Sequence, residues 1–332
     1  MVSSHLSNDL IRNLRKGDRH ALARIISRIE NRADDVQEIV AALYPHAGRA
    51  QVWGFTGPPG AGKSSLVDRI ASYLRAEKPK PPRVAIVAVD PSSPFTGGAI
   101  LGDRIRMQNH FDDPGVYIRS LGTRGHHGGL SQATREVVLA LDAAGYDVIL
   151  VETVGVGQTE LEILQLADTT TVVLVPESGD SIQVMKAGLM EIADVFAVNK
   201  CDRPEADKMV RELTNLVALN SEMSHPSPGE TARSWVNRIV QTQATSDLGT
   251  ATLVAAIREH QEYLRASGTK EKKAISNVIE EVCQILFERM RNRYRQLVDT
   301  GQIAVEIQKV VARKSDPYSL AVRISEKFRL RP

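Results

Sequence analysis

A chain of 332 residues, 42% hydrophobic and 25% charged, has the length of about two domains, or of one α/β domain with helical additions, and can bury a substantial core. Lys and Arg number 42 against 40 Asp and Glu, and a net charge of +2 gives no reason to expect a nucleic acid or a membrane surface as partner. Two cysteines far apart in sequence, Cys201 and Cys283, argue against a disulfide framework and a zinc knuckle; without a long apolar leader or a run of about 18 apolar residues, the expected location is the cytoplasm.

Apolar residues at Leu10, Ile11, Leu14, Leu22, Ile25, Ile26, Ile29, Val36, Ile39 and Val40, broken at Gly17-Asp18, predict two or three amphipathic helices before the core. Residues 51–66, QVWGFTGPPGAGKSSL, then read as strand, loop and helix. Gly57, Pro58, Pro59, Gly60, Ala61, Gly62, Lys63 and Ser64 match G-x-x-x-x-G-K-[ST] at every defined position, Ser65 joins them as a candidate nucleotide-binding residue, and a helical pattern follows from Leu66. Glycines let the backbone bring its N–H groups close to phosphate oxygens, and the helix N-terminus adds partial positive charge. Lys63 supplies a point charge toward the β- and γ-phosphates, and Ser64 a hydroxyl for Mg²⁺.

After the break at Pro79 to Pro82, the unbroken apolar run at 83–89 predicts a strand buried on both faces, as in a parallel sheet. Further strands are expected at 116–119, 147–152, 170–175, 195–199 and 238–242. They alternate with helical stretches near 103–110, 132–144, 181–192, 206–219 and 252–265. Such alternation means a doubly wound, mostly parallel α/β domain. From Lys270 the pattern changes: Ile275, Val278, Ile279, Val282, Ile285, Leu286, Met290, Tyr294 and Leu297 follow helical spacing, and two shorter helical pieces come after Gly301. The expected organisation is an N-terminal helical extension over 1–48, a nucleotide-binding domain over 49–268, and a C-terminal helical arm over 269–332. The apolar stripe of the arm either packs on the core or forms a dimer interface.

Several positions at strand ends carry candidate chemistry, because an open α/β sheet binds its ligand there. Glu152 ends the 147–152 strand beside the phosphate loop and is placed to hold Mg²⁺ or its water shell. Asn199-Lys200-Cys201-Asp202 matches N-K-x-D. The Asp carboxylate accepts two hydrogen bonds from guanine N1–H and the 2-amino group, which adenine cannot offer; the Asn reads the purine edge and supports the loop, and the Lys stem covers the ring. This puts GTP ahead of ATP. Ala244 offers a backbone N–H to the guanine carbonyl. Asp90 and Asp103 are candidates for Mg²⁺ binding, for positioning water or for switching. His126-His127, with no third ligand nearby, reads as a polar loop.

Taken together, GPPGAGKSS, VAVDPSSPFTGGAILGDRIRM, VETVGVGQTE, SGDSIQVMKAGLMEIADVFAVNKCD and DPYSLAVRI resemble the MeaB/ArgK-type GTPases, chaperones of adenosylcobalamin-dependent acyl-CoA mutases. The resemblance covers essentially the whole chain. It implies a GTP-hydrolysing, GTP/GDP- and Mg²⁺-binding homodimer joined through the C-terminal arm. Its nucleotide state would gate cofactor loading and protect or reactivate a mutase of the methylmalonyl-CoA or the isobutyryl- or 2-hydroxyisobutyryl-CoA type, with an adenosyltransferase as a further partner. By motif, Lys63, Asp90, Asp103 and Glu152 become the catalytic set, and Ser64, Asp90, Asp103 and Glu152 the metal set. Asp180 and Lys186 become switch III positions that signal to the partner. The alternatives are a nickel-inserting GTPase of the same fold, and a P-loop kinase linked to amino-acid transport, which leaves NKCD without a purpose.

Overall fold

The computed structural model describes residues 2–90, 107–122, 132–153, 163, 165–176, 192–223 and 235–327. Seven described strands form one parallel sheet: β1 (Gln51–Thr56), β2 (Val84–Asp90), β3 (Val116–Gly122), β4 (Val148–Thr153), β5 (Thr169–Leu174), β6 (Val195–Asn199) and β7 (Arg238–Thr242), in the order β3-β2-β4-β1-β5-β6-β7. The helices are α1 (Val2–Arg15), α2 (Arg19–Glu30), α3 (Val36–Leu43), α4 (Lys63–Arg75), α5 (Gln132–Ala143), α6 (Ala206–Met223) and α7 (Thr250–Ala266), then α8 (Thr269–Asp299), α9 (Ala304–Val311) and α10 (Pro317–Lys327).

Apolar runs form these strands because both sheet faces are covered, so successive side chains find a core on either side. Val84 and Ile86 of β2, Val148 and Leu150 of β4, and Val195 and Ala197 of β6 join α4 and α7 in one core. Their neighbours Ala85, Val87, Ile149 and Val151 face the other way, onto α1, α2, α3 and α5. Beyond β1, Val172, Leu174, Phe196 and Val198 continue that second face under Met209 and Leu213 of α6. β3 runs on to Gly122, past the expected end near residue 119, because Leu121 is buried and Gly122 stays in register with Asp90.

The expected N-terminal helices are three, and they share one continuous core with the sheet. Ile25, Ile26, Ile29 and Ile39 are fully buried in the same cluster as Val137 of α5 and Ile149 of β4. Arg32 pairs with Glu136 of α5 at 2.8 Å, and Arg119 of β3 pairs with Glu30. Of the helix expected near 103–110, only the final turn is described, the 3₁₀ segment Gln108–His110; the stretch expected at 181–192 lies almost entirely outside the described residues.

The chain divides into two compact units, Met1–Gly268 and Thr269–Pro332. In the second, Leu297, Ile303 and Ile324 form a small core, while Asp316 caps α10 by accepting the Ser319 N–H at 2.9 Å. Among the described residues, much of the apolar stripe of α8 is exposed: Ile275 is 62% exposed, Ile279 61% and Phe287 68%.

A buried ion pair ties the first described turn after residue 106 to α4. His110 Nε2 lies 3.1 Å from Asp68 Oδ1, with Ser72 Oγ at 3.5 Å. The hydrogen bond to the Asp68 carboxylate raises the His110 pKa above 6.5, burial opposes it, and Asp113 adds a further raising charge. A raised folded pKa contributes stability that is full below the unfolded value and lost as pH rises through the folded one. The urea midpoint of the protein is therefore expected to fall as pH rises from about 6.5 through that raised value, and His110→Gln to flatten this decline; an unchanged slope in the variant would remove His110 from the effect.

Candidate nucleotide site

β1 occupies the middle of the sheet. The chain leaves it toward β2 and β3 on one side and later crosses to β5, β6 and β7 on the other, so the carboxyl ends of β1, β4 and β5 surround the crevice where such sheets bind ligands. The loop from Gly57 to Gly62 starts there. Gly57 has φ +136°, and a Cβ on it would lie 2.1 Å from the Val173 carbonyl oxygen of β5; Gly62 has φ +87°, and a Cβ would lie 2.4 Å from Asn199 Nδ2. Both positions combine left-handed backbone with a close approach that only glycine allows. No side chain caps the N-terminus of α4, so its first N–H groups face the loop.

Lys63 and Ser64, the first two residues of α4, are buried at 6% and 9% exposure. Lys63 Nζ donates to the carbonyls of Gly57 at 2.8 Å and Pro58 at 3.0 Å, which keeps its charge inside the loop. Ser64 Oγ donates to Glu152 Oε1 on β4. A hydroxyl and a carboxylate side by side at the helix start form the oxygen donor set that Mg²⁺ prefers, so these residues fit the ion. Below them Thr153 Oγ1 donates to Thr56 Oγ1 at 3.0 Å, joining the ends of β4 and β1. Ser65 points to solvent.

The 199–202 segment follows β6. Asn199, only 2% exposed, donates from Nδ2 to the Ala61 carbonyl at 2.8 Å. Its Oδ1 accepts from Thr242 Oγ1 at 3.3 Å and from the Ala244 N–H at 3.2 Å. Its carboxamide thus ties the ends of β6 and β7 to the phosphate loop and to the turn at Ala244. The Ala244 N–H, expected to face a guanine carbonyl, is donated to Asn199 Oδ1, which as a buried amide oxygen takes its donors from the protein. Lys200, at φ +57°, donates from Nζ to the Gly60 carbonyl at 2.9 Å. Asp202 stands exposed beyond it. Burial raises the pKa of the Cys201 thiol between them, helped by the Asp202 charge, so the thiol stays protonated.

Two contributors had no sequence signal: the hydroxyl of Thr242, and Arg69 of α4, whose Nε donates to the Ala244 carbonyl at 3.0 Å. Both work across more than 40 residues of chain, and neither lies in a motif. Asp90 is the last residue of β2, beside the crevice, but its side chain lies outside the described residues, as do Asp103, His126, His127, Asp180 and Lys186. Among the described residues no group of three His, Cys, Asp or Glu comes together as a metal cluster.

An all-parallel sheet, a phosphate loop on its central strand and an N-K-x-D segment tied to that loop define a P-loop GTPase. The family described as methylmalonyl Co-A mutase-associated GTPase MeaB matches residues 22–299, and the chain belongs to that family. It is 44% identical over 314 residues to a Pyrococcus abyssi protein that bears a GTPase name, covering 95% of this chain and 94% of that one. GTPase ArgK of Escherichia coli is 37% identical over 275 residues, 81% of this chain and 80% of that protein. A fused isobutyryl-CoA mutase of Cupriavidus metallidurans is 40% identical over 211 residues, 63% of this chain but 19% of that longer protein. Among solved structures, the crystal structure of LAO/AO transport system kinase superposes with a TM-score of 0.67 at 27% identity, covering 98% of both chains.

Replacing Gly62 by Ala strains a left-handed residue and drives a methyl group into Asn199. The expected result is loss of GTP binding by more than about tenfold, since the change costs on the order of 1–2 kcal/mol in backbone alone. Equilibrium titration with GTP checks this, and wild-type affinity in the variant would show that the Gly62 and Asn199 contact is dispensable.

Proposed function

We propose that this GTPase uses its nucleotide state to gate adenosylcobalamin loading of a cobalamin-dependent acyl-CoA mutase, and to protect or reactivate that mutase. The observation that carries the reading is the relative in which a segment 40% identical to this chain is part of one polypeptide named a fused isobutyryl-CoA mutase. Membership of a family described by its association with methylmalonyl-CoA mutase supports the same partner class. The client is accordingly an acyl-CoA mutase of the methylmalonyl-CoA or the isobutyryl- or 2-hydroxyisobutyryl-CoA type. An adenosyltransferase is proposed as the source of the cofactor.

In the proposed reaction, water attacks the γ-phosphorus of GTP in line with the leaving β–γ bridging oxygen. The amides of the 57–62 loop and the Lys63 ammonium stabilise the charge that develops on the phosphoryl oxygens. Ser64 and Glu152 would hold Mg²⁺, which when bound supplies positive charge to the β- and γ-phosphates. Asp90 and Asp103 are assigned to the metal shell and to switching, Asp180 and Lys186 to signalling toward the mutase. Asp202, exposed next to a segment anchored by Asn199 and Lys200, reads guanine N1–H and the 2-amino group. The uncovered α8 stripe of Ile275, Ile279, Val282, Leu286 and Met290 is assigned to a homodimer interface, because an apolar face of that length is covered by a second copy in soluble assemblies. No helix among the described residues is long and apolar enough to cross a membrane, and the cytoplasm is the proposed location.

GTP and ATP turnover with Mg²⁺, alone and with methylmalonyl- and 2-hydroxyisobutyryl-CoA-type mutases, tests this reading. Slow GTP-selective hydrolysis accelerated by one mutase is expected; ATP preference, or indifference to every mutase, would overturn it. Lys63→Ala should abolish turnover, whereas Lys186→Ala should keep nucleotide affinity and lose the response to the mutase. Asp202→Asn replaces one carboxylate oxygen by an amino group and so removes one charge-assisted hydrogen bond, about 1.5–3 kcal/mol, so GTP affinity should fall by roughly ten- to a hundredfold. Competition between GTP and ITP measures how much of that loss is guanine-specific.

A further inference from the structure

We propose that Arg69 is a positioning residue for nucleotide binding, holding the loop after β7 to the helix that begins at the phosphate loop, so that base-reading and phosphate-binding segments form one body. The proposal rests on reading residues 57–64 and 199–202 as the nucleotide site. Arg69 lies in the second turn of α4, and its Nε donates to the Ala244 carbonyl at 3.0 Å in partly buried surroundings. Ala244 itself is 4% exposed and packs with Leu253 and Val254 of α7. Its N–H is donated to Asn199 Oδ1 at 3.2 Å, and Asn199 Nδ2 in turn donates to the Ala61 carbonyl at 2.8 Å. Ala61 directly precedes Gly62 and the first turn of α4. The connections therefore close a ring: Arg69, Ala244, Asn199, Ala61, and back along α4 to Arg69.

This ring has physical consequences. With both the N–H and the C=O of Ala244 engaged, the residue is fixed on both sides, and the exposed tip formed by Thr245 and Ser246 projects from a fixed base. The loop is closed behind that tip by the reciprocal bonds of Gln243 and Leu248, at 2.9 Å and 3.2 Å. Among the described residues no carboxylate pairs with Arg69, so its charge is directed to the carbonyl, and hydrogen bonds from ionised donors are the stronger kind. On this proposal a nucleotide leaves by parting of the base-side and phosphate-side loops, and the bond from Arg69 to the Ala244 carbonyl opposes that parting.

The test uses the full chain with Arg69→Ala and Arg69→Lys, reading fluorescent GDP release by stopped flow, the KM and kcat for GTP, and the urea midpoint. Loss of one charge-assisted bond should speed GDP release and raise KM by about tenfold in R69A, a larger change than any in kcat. R69K keeps the aliphatic stem and an ammonium within reach of the same carbonyl, so it should recover part of the loss even if R69A folds poorly. In the double variant R69A/N199A the two effects should fall short of multiplying, because both changes open one ring. Release rates unchanged in R69A, whatever happens to its urea midpoint, would reduce Arg69 to a fold-stabilising contact and overturn the proposal. So would a fall in kcat at constant KM. Failure of the nucleotide-site reading looks different, since then no variant and not the wild type would bind guanine nucleotides.

Discussion

The buried carboxamide of Asn199 is the contact on which the site depends. One side chain, almost without exposed surface, satisfies a phosphate-loop carbonyl with its N–H and takes two donors, one from the end of β7 and one from the loop after it. A buried amide left half-satisfied costs about 1–3 kcal/mol, so these partners stabilise one another. The same amide forbids a Cβ at Gly62, which links the composition of one motif to the presence of the other. The phosphate-loop motif and the NKCD segment, 138 residues apart at this bond, are thereby brought into contact.

Around that contact, charge is used to shape backbone. Lys63 donates to two carbonyls of the loop that it follows, and Lys200 reaches a third from the opposite side. Together with the Ala61 N–H, donated to the Pro58 carbonyl at 3.2 Å, these bonds hold the loop in one fixed curve, as a phosphate-binding nest requires. Lys200 achieves its reach from a left-handed backbone, an uncommon conformation for a long side chain that persists because Asn199 on one side and the Cys201 N–H to Thr242 carbonyl bond on the other fix the turn. Ser64 and Glu152 add a second junction, between α4 and β4.

The sheet supplies rigidity for both. Its strands are covered on two faces, one by α4 and α7 and the other by the N-terminal helices with α5 and α6. Because α1, α2 and α3 share a core with β2 and β4, the segment from Leu10 to Leu43 is part of what keeps the site in register. Among its described residues the second unit gathers Leu297, Ile303 and Ile324 into a small core of its own.

The sequence by itself determined the class of fold, since continuous apolar runs alternating with amphipathic helices leave few alternatives to a parallel sheet. It also determined the identity of the phosphate loop and of NKCD, because each residue type there is required by local chemistry at fixed spacing. The family resemblance carried by the longer motifs agrees with the match over residues 22–299. Only tertiary structure decided what joins these pieces. That Ala244 donates to Asn199, that Arg69 reaches Ala244 across 175 residues, and that His110 pairs with Asp68 are distances between segments that no local pattern encodes. A hydrogen bond between side chains remote in sequence leaves no periodicity or motif behind. It exists only once the sheet order has put β1, β6 and β7 on the same side of β4.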